Sequence, residues 1–89
     1  MFFIWDPDKA AANLRKHRVA FEEAVTVFAD PLALFMADWN YPDRALLIGE
    51  SAKRRILLVV FIEISDQQVR IISARRATVY ERKRYEEDK

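Results

Sequence analysis

The 89-residue sequence contains no cysteine, only one glycine and no long apolar run. Without cysteine there is no disulfide framework, thiolate metal site or thiol nucleophile, which fits a reducing cytosol. The longest apolar run, Ile56–Ile62, is too short to span a membrane, and the apolar start Met1–Trp5 is too short for the core of a signal peptide. We therefore expect a cytoplasmic protein with no membrane partner.

Chain length and composition predict one folded domain over residues 1–89. Apolar residues make up 52% of the chain, as in a globular protein rather than a disordered tail. Residues 1–45 hold five Lys/Arg and seven Asp/Glu, whereas residues 46–89 hold ten and seven, so the two halves carry charges of −2 and +3. A basic C-terminal half attracts phosphates or an acidic partner, although solvated surfaces often show a similar excess.

Two helices are predicted near the start of the chain. Asp6 caps the first helix, Pro7 opens it, and its pattern runs to about His17. Apolar residues at helical spacing predict a second helix over Phe21–Phe28. Ala20 stands at the N-cap of that helix and lacks the oxygen that a capping bond needs.

Strand patterns follow these helices. They cover four segments, Leu32–Ala37, Arg44–Gly49, Ile56–Ile64 and Val69–Ala74. Short links between the segments favour an antiparallel meander. A last helix runs from about Thr78 to Glu87, and Thr78 and Glu81 have the spacing of a capping box. The predicted fold is α+β, with an N-terminal strand, two helices, a four-stranded antiparallel meander and a C-terminal helix, and with the helices on one face of the sheet.

Two blocks of the sequence resemble the BrnT family of type II toxins. The first block reads Trp5-Asp6-x-x-Lys9-Ala10-x-x-Asn13-x-x-Lys16-His17. The second reads Arg70-Ile71-Ile72-Ser73-Ala74-Arg75, followed by Ala77, Glu81, Arg82 and Tyr85. Further matching segments lie between them, namely Phe21-Glu22-Glu23-Ala24, Val27-Phe28, Asp30-Pro31 and Asp43-Arg44. The resemblance therefore extends over nearly the whole chain.

This resemblance implies a RelE-like fold related to microbial ribonucleases and an activity that inhibits translation by cutting RNA. It also implies a partner similar to BrnA, a ribbon-helix-helix antitoxin that contacts operator DNA and neutralises the toxin. Arg18 stands where the family usually has Gly, and Ala20 where it usually has Ser. Arg does not readily adopt positive φ, so these departures bear on the turn between the two helices.

His17 is the candidate base or acid for RNA cleavage. Metal-independent cleavage needs a base for the 2′-hydroxyl, cations for the phosphate and an acid for the leaving oxygen. His17 is the only histidine, and its ordinary pKa lies near neutrality. A histidine at the end of a helix also interacts favourably with the helix dipole, so a purely structural role stays open.

Arg75 is the candidate phosphate ligand, because a guanidinium matches two phosphate oxygens. Arg76, a further candidate for phosphate binding, must point to the opposite face of the strand, while Ser73 is expected to share the face of Arg75. Ser73 could bond a phosphate oxygen or merely fill a tight spot near the end of the sheet. Arg44, at the start of a strand, is a third candidate catalytic residue and could instead pair with a nearby carboxylate. A solvated ion pair is the alternative role for either Arg75 or Arg76.

The remaining candidates for RNA or phosphate binding lie on helices. Lys9, Asn13 and Lys16 share a polar face of the first helix, which could equally be an ordinary solvated face. Arg82 belongs to a basic run that could grip an RNA backbone. Tyr85 could donate to phosphate, although packing is the preferred interpretation.

The residue types present predict no metal site and no cofactor. One His, no Cys and scattered carboxylates give no ligand cage, and no phosphate-binding loop or dinucleotide motif is present. Two functions remain: a metal-independent endoribonuclease toxin, or a non-catalytic module that binds an antitoxin through a decayed site.

Overall fold

The computed structural model of the protein describes residues 1–87. Its elements are β1 (Phe2–Ile4), α1 (Pro7–His17), α2 (Phe21–Val27), β2 (Leu34–Ala37), β3 (Ala45–Glu50), β4 (Ile56–Ser65), β5 (Gln68–Arg76) and α3 (Val79–Glu87). This order confirms the predicted α+β class and the predicted succession of elements. Strand ends differ from the predicted ends by at most two residues.

The five strands form one mixed sheet in the order β1-β5-β4-β3-β2. Strands β2 to β5 make the predicted antiparallel meander, whereas β1 pairs in parallel with the first three residues of β5. The sheet is therefore not purely antiparallel. A β-bulge interrupts the pairing of β4 with β5, because Val60 pairs with Ser73 while Phe61 pairs with Ile71.

The helices cover both faces of the sheet, so the prediction that they share one face is wrong. Helices α1 and α2 pack on what we call the closed face, where Phe21 is buried against residues such as Val59 and Ile71. Helix α3 packs on the opposite, open face, where Tyr85 covers Ile48 and Leu58. Six further apolar residues that pack against this cluster stay half-buried, namely Leu34, Met36, Leu46, Ile56, Val60 and Ala77. Sequence spacing did not reveal the side of α3, because this helix has apolar positions at Val79, Tyr80 and Tyr85 that define no clear stripe.

The turn between α1 and α2 shows how the chain accommodates its two unusual residues. Arg18 lies in the left-handed region with φ 59° and ψ 32°, and its N–H donates to the carbonyl of Leu14. The position thus has the conformation that Gly favours, although an Arg occupies it. Ala20 makes no side-chain capping bond to α2, as predicted.

A hydrogen bond joins α3 to the loop after α2. The Tyr85 hydroxyl donates to Asp30 at 2.6 Å, and the N–H of Glu50 donates to the same carboxylate oxygen at 2.8 Å. Asp30 can approach because Gly49 has no side chain: a Cβ there would meet Asp30, Ala33 and Val27 at 3.0 Å. Burial and the neighbouring Asp30 raise the pKa of Tyr85 to about 12.

None of the described helices is both long enough and apolar enough to cross a membrane.

Candidate functional site

The only histidine lies in a shallow depression between α1 and β5. Lys9, Lys16 and His17 line it from the helix, and Ile72 and Ser73 line it from the strand. Its volume is about 230 Å³. Neither lysine has an ion-pair partner within residues 1–87. Asn13 also lines it, so the structure brings together five of the predicted site residues, and we call this surface the His17 depression.

Asn13 fixes the depression to the sheet. Its Nδ2 donates to the carbonyls of Val19 and Ala74 at 2.9 and 2.8 Å, and its Oδ1 accepts from the N–H of Ala74 at 3.1 Å. Because β1 pairs only with residues 68–70, the edge of β5 at Ala74 has no strand neighbour among residues 1–87, and the Asn13 amide takes that place. Asn13 is buried and its polar atoms are engaged. It therefore positions the neighbouring side chains, and its geometry does not favour the predicted phosphate contact.

Arg75 is held by Glu81 in a two-point ion pair. Its Nη1 and Nη2 donate to the two carboxylate oxygens at 2.9 Å each. Glu81 also accepts from the N–H of Thr78 at 2.8 Å, and the Thr78 hydroxyl accepts from the N–H of Glu81 at 3.2 Å, which completes the predicted capping box. Burial acts to raise the pKa of Glu81, but the hydrogen bonds from Arg75 and Thr78 outweigh it and leave that pKa lowered. The same ion pair raises the pKa of Arg75.

The guanidinium of Arg75 retains donors for a ligand. Nη1 donates to Glu81 and to the carbonyl of Arg76, and Nη2 donates once to Glu81. A guanidinium has five N–H donors, so Nε–H and one Nη2–H stay available among the described contacts. These two donors lie on one side of the planar group and match two phosphate oxygens.

Arg75 and Arg76 point to opposite faces of the sheet, as predicted. Arg75 pairs with Leu58 of the open face, and Arg76 pairs with Leu57 of the closed face. Arg75 does not line the His17 depression. It follows Ala74 directly in the chain, however, and Ala74 is the residue that Asn13 binds. His17 and Arg75 therefore both lie at the same short stretch of β5, residues 72–75.

Arg44 lies away from these residues. It precedes β3, and its guanidinium lies 4.3 Å from the ring centroid of Tyr41. Arg75 is level with Ile48 across the sheet, because Leu58 pairs with both. Four residues of strand separate Arg44 from Ile48, or about 13 Å. The structure does not bring Arg44 together with Arg75 or the His17 depression.

Arg76 and Arg82 take part in a second basic surface, together with two arginines that the sequence did not single out. We call it the arginine pocket; it is lined by Arg54, Arg55, Arg76 and Arg82, with Ile56 and Ala77. Arg55 forms an ion pair with buried Glu23, and its Nε donates to that carboxylate at 2.9 Å. The hydrogen bond from Arg55 lowers the pKa of Glu23 despite burial, and Ser51 adds a second donor at 2.7 Å. Glu23 and Arg55 are 32 positions apart, and no local pattern marks such a pair.

Tyr85 is only 1% exposed and donates to Asp30, so the structure favours the packing role over a contact with RNA. The described residues contain no group of three or more His, Asp or Glu side chains arranged to hold a metal ion.

Comparison with known proteins supports the family resemblance. The family model for the ribonuclease toxin BrnT of type II toxin–antitoxin systems matches residues 5–81. The crystal structure of the Brucella abortus ribonuclease toxin BrnT is similar to the chain, with a TM-score of 0.71 and 26% sequence identity, over 88% of this chain and 99% of that one. No curated protein sequence matches significantly. The matched residues include both the His17 depression and Arg75, and the chain belongs to the BrnT family of toxins of type II toxin–antitoxin systems.

Proposed function

We propose that this toxin cleaves RNA without a metal ion, and that His17 and Arg75 act on the same phosphate from the two sides of the β5 edge. The observation that carries the proposal is the His17 depression, where the only histidine meets two lysines that have no ion-pair partner within residues 1–87, next to the strand that bears Arg75. A phosphate at this edge would lie among cations and beside a group able to take a proton near neutral pH.

In this mechanism His17 accepts the proton of a ribose 2′-hydroxyl. The 2′-oxygen then forms a bond to phosphorus, the bond from phosphorus to the 5′-oxygen breaks, and the leaving oxygen takes up a proton from solvent. Arg75 offers Nε–H and Nη2–H to the phosphate, and Lys9 and Lys16 add positive charge. The products are a 2′,3′-cyclic phosphate and a 5′-hydroxyl end. Glu81 is a positioning residue, because it fixes the guanidinium that would contact the phosphate.

The antitoxin partner implied by the family is, in this proposal, a ribbon-helix-helix protein similar to BrnA that covers the His17 depression. Operator DNA would be contacted only through that partner. The fold accommodates the two departures from the family pattern, since Arg18 adopts the left-handed conformation and α2 forms without its cap. This geometry favours an active toxin over the alternative, a non-catalytic module that binds an antitoxin through a decayed site.

The decisive experiment incubates purified protein with total RNA in excess EDTA and determines the chemistry of the new ends. Wild type is compared with His17→Ala, Arg75→Ala and the control Arg15→Ala, which removes an exposed cation outside the depression. We expect cleavage by wild type and the control, a loss of at least 100-fold in both site variants, and cyclic phosphate ends. Circular dichroism establishes that all four proteins are folded.

Full activity of His17→Ala would refute the proposed base, and abolition of cleavage by EDTA would refute metal independence. If purified wild type does not cleave, ribosomes are added and growth is followed during expression without a partner. Normal growth together with no cleavage under either condition would favour the non-catalytic module.

A further inference from the structure

The arginine pocket is a cavity of about 290 Å³ lined by four cations and no carboxylate among the described residues. The arginines come from three separate parts of the chain. Arg54 and Arg55 belong to the turn between β3 and β4, Arg76 ends β5, and Arg82 lies in the first turns of α3. Tertiary structure brings them together, so the cluster is more than the basic run seen in the sequence of α3.

The turn that carries Arg54 and Arg55 has a defined conformation. The N–H of Arg54 donates to Ser51 at 2.9 Å, and the N–H of Ser51 donates to the carbonyl of Arg55 at 2.8 Å. Arg54 has φ 65°, a conformation that non-glycine residues adopt rarely. The N–H of Ala77 donates to the carbonyl of Ile56 at 3.0 Å, which fixes the end of β5 beside this turn. The pocket thus has an ordered backbone on two sides.

The carboxylates around the pocket balance only part of its charge. Glu23 neutralises Arg55, and Glu50 contacts Arg54 at 3.1 Å, but the Arg54 side chain is 84% exposed and such a pair is weak. Arg76 and Arg82 have no ion-pair partner within residues 1–87. Like charges gathered around one cavity repel each other, and a bound anion would remove that repulsion.

The pocket also adjoins the end of α1. Arg55 donates from Nη2 to the carbonyl of Arg18 at 3.1 Å, and Arg18 follows His17 directly. A polyanion long enough to extend from the His17 depression past the end of α1 would therefore find further cations in the arginine pocket. Repeated phosphates along one chain are a property of a nucleic acid backbone.

We propose that the arginine pocket binds a phosphate of an RNA strand beyond the scissile one, as a subsite separate from the His17 depression. The identity of the ligand as RNA rests on the proposed function, whereas the presence of an anion site does not. Arg76 and Arg82 supply donors that have no ion-pair partner in the described part of the chain, Arg55 supplies a fixed one, and Arg54 closes the pocket from the turn. The subsite strengthens binding without contacting the reacting atoms.

The test measures binding of a fluorescent ten-nucleotide 2′-O-methyl RNA, which lacks the hydroxyl that cleavage requires. Wild type is compared with the double variant Arg76→Gln/Arg82→Gln and with the charge-matched control Arg15→Gln/Arg70→Gln, whose arginines are exposed and line neither surface. We expect the pocket variant to bind roughly tenfold more weakly, with a salt dependence shallower by about one to two phosphate contacts. The control should lose less than about twofold in affinity. Equal losses in both double variants would overturn the subsite, because they would reflect net charge alone.

A decaglutamate peptide serves as the protein-like competitor in the same assay. If the variant Arg76→Gln/Arg82→Gln loses affinity for the peptide but binds the RNA as wild type does, the pocket binds an acidic protein segment and the proposal is wrong. Cleavage assays on natural RNA keep the two proposals apart. Loss of binding in the pocket variant, with no cleavage by wild type, would support the subsite and contradict the proposed function. Cleavage that depends on His17, with unchanged binding in the pocket variant, would support the proposed function and contradict the subsite.

Discussion

The two faces of the sheet differ in how completely they are covered. On the closed face, α1 and α2 bury a continuous cluster in which Val19, Phe21, Ala24 and Val27 have no exposed surface. On the open face, α3 buries Ile48 and Leu58 but leaves Val60 and its neighbours half-exposed. The closed face therefore supplies most of the hydrophobic stabilisation, and the open face keeps surface accessible beside Arg75. In a chain of 89 residues, one face has to hold the fold together so that the other can bind.

The strongest test of this difference removes one apolar side chain from each face. Phe21→Ala should lower the free energy of unfolding by about 3–5 kcal/mol, because it empties a fully buried position. Val60→Ala on the open face should cost about 1 kcal/mol, because solvent already reaches that side chain. Urea unfolding followed by circular dichroism measures both values. Equal losses would mean that the two faces contribute alike.

A second prediction concerns the boundary between the faces, where Asn13 binds the edge of β5. Asn13→Ala should cost about 2–3 kcal/mol, because it leaves the N–H and carbonyl of Ala74 and the carbonyl of Val19 without their partner. Lys16→Ala on the same helix should change the free energy of unfolding by less than about 0.5 kcal/mol. If the structural role is right, Asn13→Ala lowers the unfolding midpoint in urea and Lys16→Ala does not. A stable Asn13→Ala protein with impaired RNA binding would restore Asn13 as a ligand.

The third prediction compares two ion pairs, Glu23 with Arg55 and Glu81 with Arg75. Glu23 and Glu81 both have a lowered pKa in the folded protein, so each stabilises it above the ordinary carboxyl pKa of about 4.5 and loses that effect as pH falls through the lower folded value. Unfolding free energy should therefore fall below about pH 4.5. The side chain of Glu23 is 3% exposed and that of Glu81 is 17% exposed. At pH 7, Glu23→Gln should cost about 2 kcal/mol and Glu81→Gln about 1 kcal/mol.

Urea titrations at pH 3 to 7 check this order. Glu23→Gln should flatten the acid-dependent part of the stability curve more than Glu81→Gln. A curve for Glu23→Gln that parallels wild type would contradict a stabilising role for the Glu23–Arg55 pair.

The smallest expected effects come from the helix caps. Helix α2 on the closed face starts at Ala20 without a cap, whereas α3 on the open face starts with the capping box of Thr78 and Glu81. Ala20→Ser should stabilise the protein by about 1 kcal/mol, and Thr78→Ala should destabilise it by a similar amount. For a domain of this size, each change should shift the melting temperature by about 4–8 °C. Scanning calorimetry measures both shifts, and a neutral Ala20→Ser would show that packing alone fixes the start of α2.

Local patterns in the sequence predicted those parts of the structure that depend on neighbouring residues. Asp6 and Pro7 marked the start of α1, and Thr78 and Glu81 marked the box at the start of α3. Alternation along β5 predicted that Arg75 and Arg76 would diverge. Contacts between distant parts of the chain had no such signal. The parallel pairing of β1, the side of the sheet that α3 covers, and the Glu23–Arg55 pair all depend on tertiary packing.

The same distinction applies to the candidate site. The resemblance pointed to His17 and Arg75, and the structure ties both to the region of Ala74. It could not show that the amide of Asn13 is engaged by backbone groups 61 positions away, or that Arg54 and Arg55 join Arg76 and Arg82. A polar helix face looks the same in sequence whether its members bind a ligand or a strand edge.

The bond between Asn13 and Ala74 also has a consequence during synthesis. The helix that bears His17 emerges from the ribosome before the strand to which Asn13 binds it. Strand β1 likewise cannot pair until β5 has been made, because its partner is the first part of β5. Contacts between distant segments form only once both are available, so the His17 depression cannot assemble on a nascent chain that lacks β5. The proposed ribonuclease site is therefore completed only after β5 has been made.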